Sequence, residues 1–357
     1  MNSRNYSIQA LRAVAALFVV VDHTLTQFNL YNHNAGYAGK ILSNLENLGL
    51  IGVYIFFIIS GYIMSMTTNN KPSGFNSAAI FIKKRLIRIY PTYWIWLSIM
   101  VVLWLLGLAL RSHHYSLDKI ISSYLLIPFT DTDSTNFNPI LSQGWTLIYE
   151  MLFYCIFAVL LLFKLTENRM IILTLSAFIV LKHLGHNDLL SNDFSRFLDN
   201  WVLFLFPLGM LIFRLEGRLR ALLCHSVVRN TMHLITISLF FFVIFRDSNY
   251  NKEVNNTLTA IFIFISLFIV KIDSKPLSVL GDASYSIYLT HTFIVMTYGV
   301  VSKGHYLDRW VLLLLSIPVM IASVLFGVAA YYIVEQKIQK LTSNIFFNKR
   351  ITHSISS

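Results

Sequence analysis

The chain has 357 residues, of which 56% are hydrophobic and only 13% charged, with 28 Phe and 18 Tyr. Soluble domains carry about 25% charged residues, so this balance excludes an ordinary water-soluble globule and points to a polytopic membrane protein. The formal net charge of +11 raises nucleic acid as a partner, but the positive residues sit between apolar stretches and form no basic face or arm, which excludes that class.

Taken in chain order, hydrophobic runs predict an all-α transmembrane bundle of about ten spans. They fall near residues 10–28, 48–66, 91–110, 145–163, 170–184, 199–215, 231–245, 256–271, 283–301 and 309–334. The fifth to eighth are shorter than the roughly 20 residues a bilayer requires. Residues 120–129 are apolar but too short to span, and read as an interfacial or re-entrant piece. One bundle over residues 1–340 and a short basic tail over 341–357 account for the chain, with no internal repeat. Asp22-His23 interrupts the first apolar run, so a cleaved signal peptide is not expected.

Lysine and arginine placement sets the orientation. With a cytoplasmic N-terminus, 19 of the 28 basic residues fall on inside segments, so both termini are predicted to be cytoplasmic. The first helix then carries Arg12 near the inner end and His23 in the outer half. The eleven-residue step between them leaves about 20° of rotation and about 16 Å of rise, so both lie on one face. Ionisable groups inside a span are costly and mark functional candidates; the plainer alternative makes Arg12 an interfacial anchor and His23 a bundle histidine. Glu150, on the fourth span, is predicted at a similar depth to His23. The two suit either a base with its orienting carboxylate or a hydrogen bond that pins two helices.

Other features are quieter. Cys155 and Cys224 read as free thiols without metal-ligand spacing. His113, His114, His183 and His186 fall in outer loops with no convincing zinc pattern. Glu335, near the end of the last span, reads as the partner of a cytoplasmic base.

Five segments, in order and spacing, resemble the integral-membrane acyltransferase family 3. They are Gln9-Ala10-Leu11-Arg12 through His23; Gly52-Val53-Tyr54-Ile55-Phe56-Phe57-Ile58-Ile59-Ser60-Gly61-Tyr62; and Lys84-Arg85-Leu86-Ile87-Arg88-Ile89-Tyr90-Pro91. The others are Gly144-Trp145-Thr146-Leu147-Ile148-Tyr149-Glu150 with Phe153-Tyr154, and Leu280-Gly281-Asp282-Ala283-Ser284-Tyr285-Ser286-Ile287-Tyr288-Leu289-Thr290-His291. The end of the last span, Tyr331-Tyr332-Ile333-Val334-Glu335, is also similar. The wording is closest to exopolysaccharide-type O-acyltransferases that lack a fused extracytoplasmic esterase-like domain. One departure stands out. The family usually has an aspartate after the Gly-Val of the second segment, where this chain has Tyr54. Asp22 neighbours His23 but lies about 100° around the helix, and would replace that carboxylate only if the helix rotated or unwound.

The resemblance implies an O-acyltransferase of the bacterial inner membrane, with acetyl-CoA or another acyl-CoA as cytoplasmic donor and no metal. The acceptor would be a carbohydrate hydroxyl of a surface or secreted polysaccharide or its lipid-linked precursor. Membrane lipid surrounds the protein, nucleic acid plays no part, and the oligomeric state is unreadable. His23 is then the candidate base, with Glu150 and Arg12 completing the catalytic set, although an acyl-histidine intermediate is an alternative. Lys84, Arg85 and Arg88 suit the donor phosphates, with Lys83 beside them. A positive-inside cluster would place the same charges there. Ser60 and Arg12 would line the donor path, while Ser60 equally suits a helix-packing contact. Tyr288, His291 and Trp145 are the acceptor-side candidates; for Tyr288 and His291 a structural aromatic network is the alternative. A secondary transporter or flippase-like carrier would share the buried ionisable groups, but paired repeats with matching broken helices are not visible.

Overall fold

The computed structural model describes residues 6–31, 37–131, 136–187, 189–246, 251–269, 272, 274–304 and 307–347. The described residues are helical, joined by turns and loops. In chain order the helices are α1 (Tyr6–Tyr31), α2 (Tyr37–Leu45), α3 (Leu48–Thr68), α4 (Phe75–Leu105), α5 (Leu117–Leu125), α6 (Gly144–Leu160), α7 (Glu167–His186) and α8 (Asn192–Leu198). After a 3-10 turn (Trp201–Phe204) come α9 (Leu205–Cys224), α10 (Ser226–Phe245), α11 (Lys252–Ile269), α12 (Lys275–Lys303) and α13 (Arg309–Ala330). A π-helical turn (Tyr331–Glu335) leads into α14 (Gln336–Phe347). Among the described residues, six helices are long and apolar enough to cross a membrane, or seven if the bent pair Asn192–Leu198 and Trp201–Cys224 is one span.

Each predicted span overlaps a helix, with shifted bounds, residues 270 and 271 of the eighth lying outside the described residues. The largest shift is in α4, predicted over 91–110 and observed from Phe75. Its first half is too basic to register as hydrophobic. Yet no helix-breaking backbone intervenes between Gly74 (φ 118°) and Gly107 (φ 65°), and Pro91 is carried inside the helix. The final helix likewise runs past residue 334, through the π-helical turn and into α14. The apolar piece at 120–129 forms the nine-residue α5 and the loop after it, and α2 is a helix that hydropathy did not mark.

The chain divides into two compact units, one of Met1–Met66 with Leu208–Ala329 and the other of Thr67–Pro207 with Ala330–Ser357. In the first unit α1 packs along α12. Small residues make that approach close: Ala10, Ala13, Ala15 and Ala16 are buried on α1. A methyl group on Gly281 of α12 would lie only 2.1 Å from the Gln9 carbonyl oxygen. On the other side Gly52 of α3 meets the Ala15 carbonyl in the same way, at 2.5 Å. Without a large apolar excess over lipid to drive association, such backbone contact is what holds membrane helices together. Towards the far end of α3, Tyr62 donates a 2.8 Å hydrogen bond to Glu216, which also accepts from Arg220 at 2.8 Å. The Arg220 guanidinium lies 4.6 Å from the Phe268 ring centre.

In the second unit, α4 carries α5 through its aromatic side chains. The last carbonyls of a helix have no partner within it. Here Tyr93 donates to the Ser123 carbonyl at 2.9 Å, Trp94 to Tyr124 at 2.9 Å and Tyr90 to Leu125 at 3.0 Å. The N-terminus of α5 is capped by Ser116, whose hydroxyl accepts from the Lys119 amide at 3.1 Å. The Ser116 amide donates to Asp131, and Lys119, itself buried, donates to the Phe129 carbonyl. Burial pushes the Lys119 ammonium below its usual range, opposed by the carboxylates of Asp131 and Asp193. On α6, Phe153 stacks on Phe206 with ring centres 4.5 Å apart.

Candidate active site

His23 lies two turns before the end of α1, whose unbroken course from Tyr6 to Tyr31 confirms that Arg12 and His23 share a face. Its Nδ1 is 2.9 Å from the Val19 carbonyl oxygen. A carbonyl only accepts, so that nitrogen carries the proton and Nε2 is left with a lone pair. His291 on α12 is arranged alike. Its Nδ1 is 3.1 Å from the Ile287 carbonyl, and its Nε2 is buried without a hydrogen-bond partner. The rings meet edge to face, their centres 5.0 Å apart. His291 is fully buried while the His23 side chain keeps 44% of its accessibility, so the pair has one closed and one open member.

Asp22 departs from expectation. Its Oδ2 lies 3.5 Å from His23 Nδ1 with α1 intact, so neither rotation nor unwinding is required. The carboxylate folds back around the helix because Gly49 leaves room for it; a methyl group there would lie 1.9 Å from Asp22 Oδ2. Thr26 donates to the other oxygen at 3.3 Å. Tyr54, at the position of the family's usual aspartate, is buried in α3.

The remaining candidates divide between the units. Tyr288 touches both His291, at 6.2 Å between ring centres, and Phe56 of α3, at 6.0 Å. Arg12 donates to Gln9 at 3.4 Å, and Ser60 is buried in α3. Glu150 belongs to the second unit, where it accepts a hydrogen bond from Tyr154. Trp145 sets its ring edge against Tyr149, 5.8 Å away, and Tyr149 donates to the Phe197 carbonyl. Within the basic segment of α4 the side chains part company. Lys84 and Arg88 are exposed, whereas Arg85 is turned inward, its guanidinium 5.5 Å from the Phe81 ring and 5.7 Å from the Tyr154 ring. Glu150 is also among its electrostatic neighbours. Glu335 is buried in the π-helical turn and accepts from Gln339 at 3.0 Å. Both cysteines are free and exposed. Among the described residues no group of three or more His, Cys, Asp or Glu is placed to hold a metal ion.

Sequence reasoning gave His23 and His291 separate roles and did not pair them. The signal was present: Tyr288-Leu289-Thr290-His291 follows the glycine that brings α12 onto α1, so a histidine further along α12 belongs near the second half of α1.

The apolar, all-helical fold thus holds an imidazole nitrogen with a free lone pair beside a second imidazole, an arrangement able to accept a proton. The chain belongs to the acyltransferase family whose model, described as an acyltransferase domain, matches residues 5–332. It is 29% identical over 298 residues to the exopolysaccharide production protein ExoZ of Rhizobium meliloti (strain 1021), covering 81% of this chain and 89% of that protein. It is also 29% identical over 294 residues to the O-acetyl transferase of Shigella phage Sf6, covering 78% of this chain and 81% of that protein. No solved structure matches.

Proposed function

We propose that this acyltransferase is an O-acetyltransferase that moves an acetyl group from cytoplasmic acetyl-CoA to a sugar hydroxyl of a surface or secreted polysaccharide, or of its lipid-linked precursor. The observation that carries this reading is the tautomer imposed on His23, a bare Nε2 on an accessible ring. The exopolysaccharide and O-acetyl transferase relatives support the acceptor and acyl group. In this scheme Nε2 takes the proton of the sugar hydroxyl as its oxygen attacks the thioester carbonyl. The tetrahedral species then expels the coenzyme A thiolate, and the imidazolium returns the proton to sulfur. Asp22 lies beside the imidazolium that forms, and His291 fixes the ring from its edge. Glu150 of the second unit remains a candidate for the same charge-stabilising task. Lys84, Arg88 and Arg12 are proposed to meet the donor's phosphates and its entrance, with Ser60 along the path. Tyr288, His291 and Trp145 are proposed to face the acceptor.

The proposed topology has ten spans in the inner membrane with both termini cytoplasmic, so the donor enters opposite to the acceptor. The full-length protein reconstituted in liposomes with labelled acetyl-CoA tests the chemistry. His23→Ala is expected to reduce transfer by about 100-fold or more while the protein remains inserted and folded. Full activity in that variant, or proton- or sodium-driven uptake without acyl transfer, would overturn the reading.

A further inference from the structure

Buried polar groups in proteins are nearly always hydrogen-bonded, and a buried charge without a partner is costly enough to call for an explanation. Two such groups lie in the α10–α11 hairpin, outside the machinery above. Arg246, the residue that ends α10, is 4% exposed, and both terminal guanidinium nitrogens are buried without a hydrogen-bond partner. Among the described residues no carboxylate pairs with it. Asn256, one turn into α11, is fully buried, and both its amide nitrogen and its oxygen lack partners.

Their position is defined within the first unit. The Phe18 and Phe240 rings stack with centres 6.0 Å apart, which fixes the register of α1 against α10. Both helices run towards α2, where the Asn44 side chain donates to the carbonyls of Ile244 and Arg246 at 2.9 and 3.0 Å. Arg246 lies six residues beyond Phe240 and His23 five beyond Phe18, rises of about 9 and 7.5 Å. The backbone of Arg246 therefore stands within about 2 Å of His23 in height. Asn256 lies about 6 Å beyond the start of α11, the helix that packs against both α10 and α1. Asn44 holds the backbone of Arg246 in place, and among the described residues nothing satisfies the two terminal guanidinium nitrogens.

We propose that Arg246 and Asn256 form an acceptor subsite that takes an oxyanion, with Arg246 meeting the negative charge in the bidentate manner guanidinium favours and Asn256 meeting neighbouring hydroxyls. The inference rests on the acetyl-transfer reading and names the acceptor class as anionic. Two sources supply such an oxyanion: a carboxylate on the sugar itself, or the diphosphate of a lipid carrier.

The test uses the full chain in liposomes, labelled acetyl-CoA, and three acceptors: a uronic acid oligosaccharide, its neutral counterpart, and a polyprenyl-diphosphate-linked neutral sugar. Arg246→Met keeps most of the side-chain volume and removes the charge. It is expected to lower kcat/KM at least about 10-fold, the cost of roughly one charged hydrogen bond, for one anionic acceptor while leaving the neutral one within about two-fold. Loss confined to the uronic acid identifies the sugar carboxylate, and loss confined to the carrier-linked sugar identifies the diphosphate. Asn256→Ala should weaken the same acceptor. The ligand-free Arg246→Met protein should melt no lower than wild type, because an uncompensated buried charge has been removed. Equal loss on all acceptors, no loss on any, or a lowered Tm overturns the subsite. Absence of transfer by the wild type to every acceptor instead tells against the acetyl-transfer reading beneath it.

Discussion

At the scale of single residues, the proposed chemistry turns on where two protons sit. Each imidazole gives its Nδ1 proton to a carbonyl one turn earlier in its own helix, at 2.9 Å for His23 and 3.1 Å for His291. The backbone thereby selects the tautomer that leaves Nε2 available. Asp22 stands 3.5 Å from the protonated nitrogen of His23, where in the proposed scheme it would stabilise the charge that appears only when the base has taken a proton. Loss of a contribution realised only in the transition state lowers kcat rather than raising KM. Asp22→Asn is therefore expected to lower kcat about 10-fold with both KM values unchanged, read from steady-state titrations of donor and acceptor. A proportional rise in KM would make Asp22 a structural residue. His23 was legible in the sequence because the span in which it lies is otherwise so apolar. Asp22 was not, because its reach depends on the missing side chain of Gly49, across a helix contact that spacing along α1 does not reveal. Arg246 was hidden for a related reason. Counting positive charges sorts residues by side of the membrane and says nothing of whether a guanidinium is solvated.

At the scale of elements, α4 separates roles that the sequence ran together. Lys84-Arg85-Leu86-Ile87-Arg88 reads as one basic patch, yet the helix sends Arg85 towards Phe81 and Tyr154 and leaves Lys84 and Arg88 exposed. Arg85 is thus part of the packing of the second unit, and its cation lies over aromatic rings that a lysine would not fill in the same way. Arg88→Ala should raise the KM for acetyl-CoA several-fold without changing Tm, whereas Arg85→Ala should lower Tm by several degrees. Thermal unfolding in detergent alongside donor titration separates the two. Identical effects of both substitutions would return the pair to a single role. The early start of α4 escaped hydropathy because a helix outside the hydrocarbon needs no apolar average, only the absence of a break.

At the scale of the whole molecule, composition was enough to give an all-helical membrane protein, and the ordered motifs were enough to give its family. Division into two compact units was not visible, because each unit is assembled from segments far apart in the chain, joined by contacts that no local pattern records. The proposed topology makes a labelling prediction from the two native thiols. Cys224 ends α9 and is exposed, so a membrane-impermeant maleimide should modify it from the cytoplasmic side only. Cys155 lies within α6, where lipid should shield it from the same reagent on either side. Labelling of Cys224 from outside would invert the orientation, and with it the side from which the donor must come.

The bonds from α4 to the end of α5 bear on how variants of this chain should be judged. By hydropathy alone, Tyr93→Phe is a neutral exchange, even a favourable one. In this fold it removes the hydroxyl's bond to the Ser123 carbonyl and leaves that oxygen only the 3.3 Å bond from the Leu126 amide, at about 0.5–1.5 kcal/mol. The aromatic run Tyr90-Pro91-Thr92-Tyr93-Trp94 is therefore a set of donors presented on rings, and what each of Tyr90, Tyr93 and Trp94 must preserve is the hydrogen at its tip.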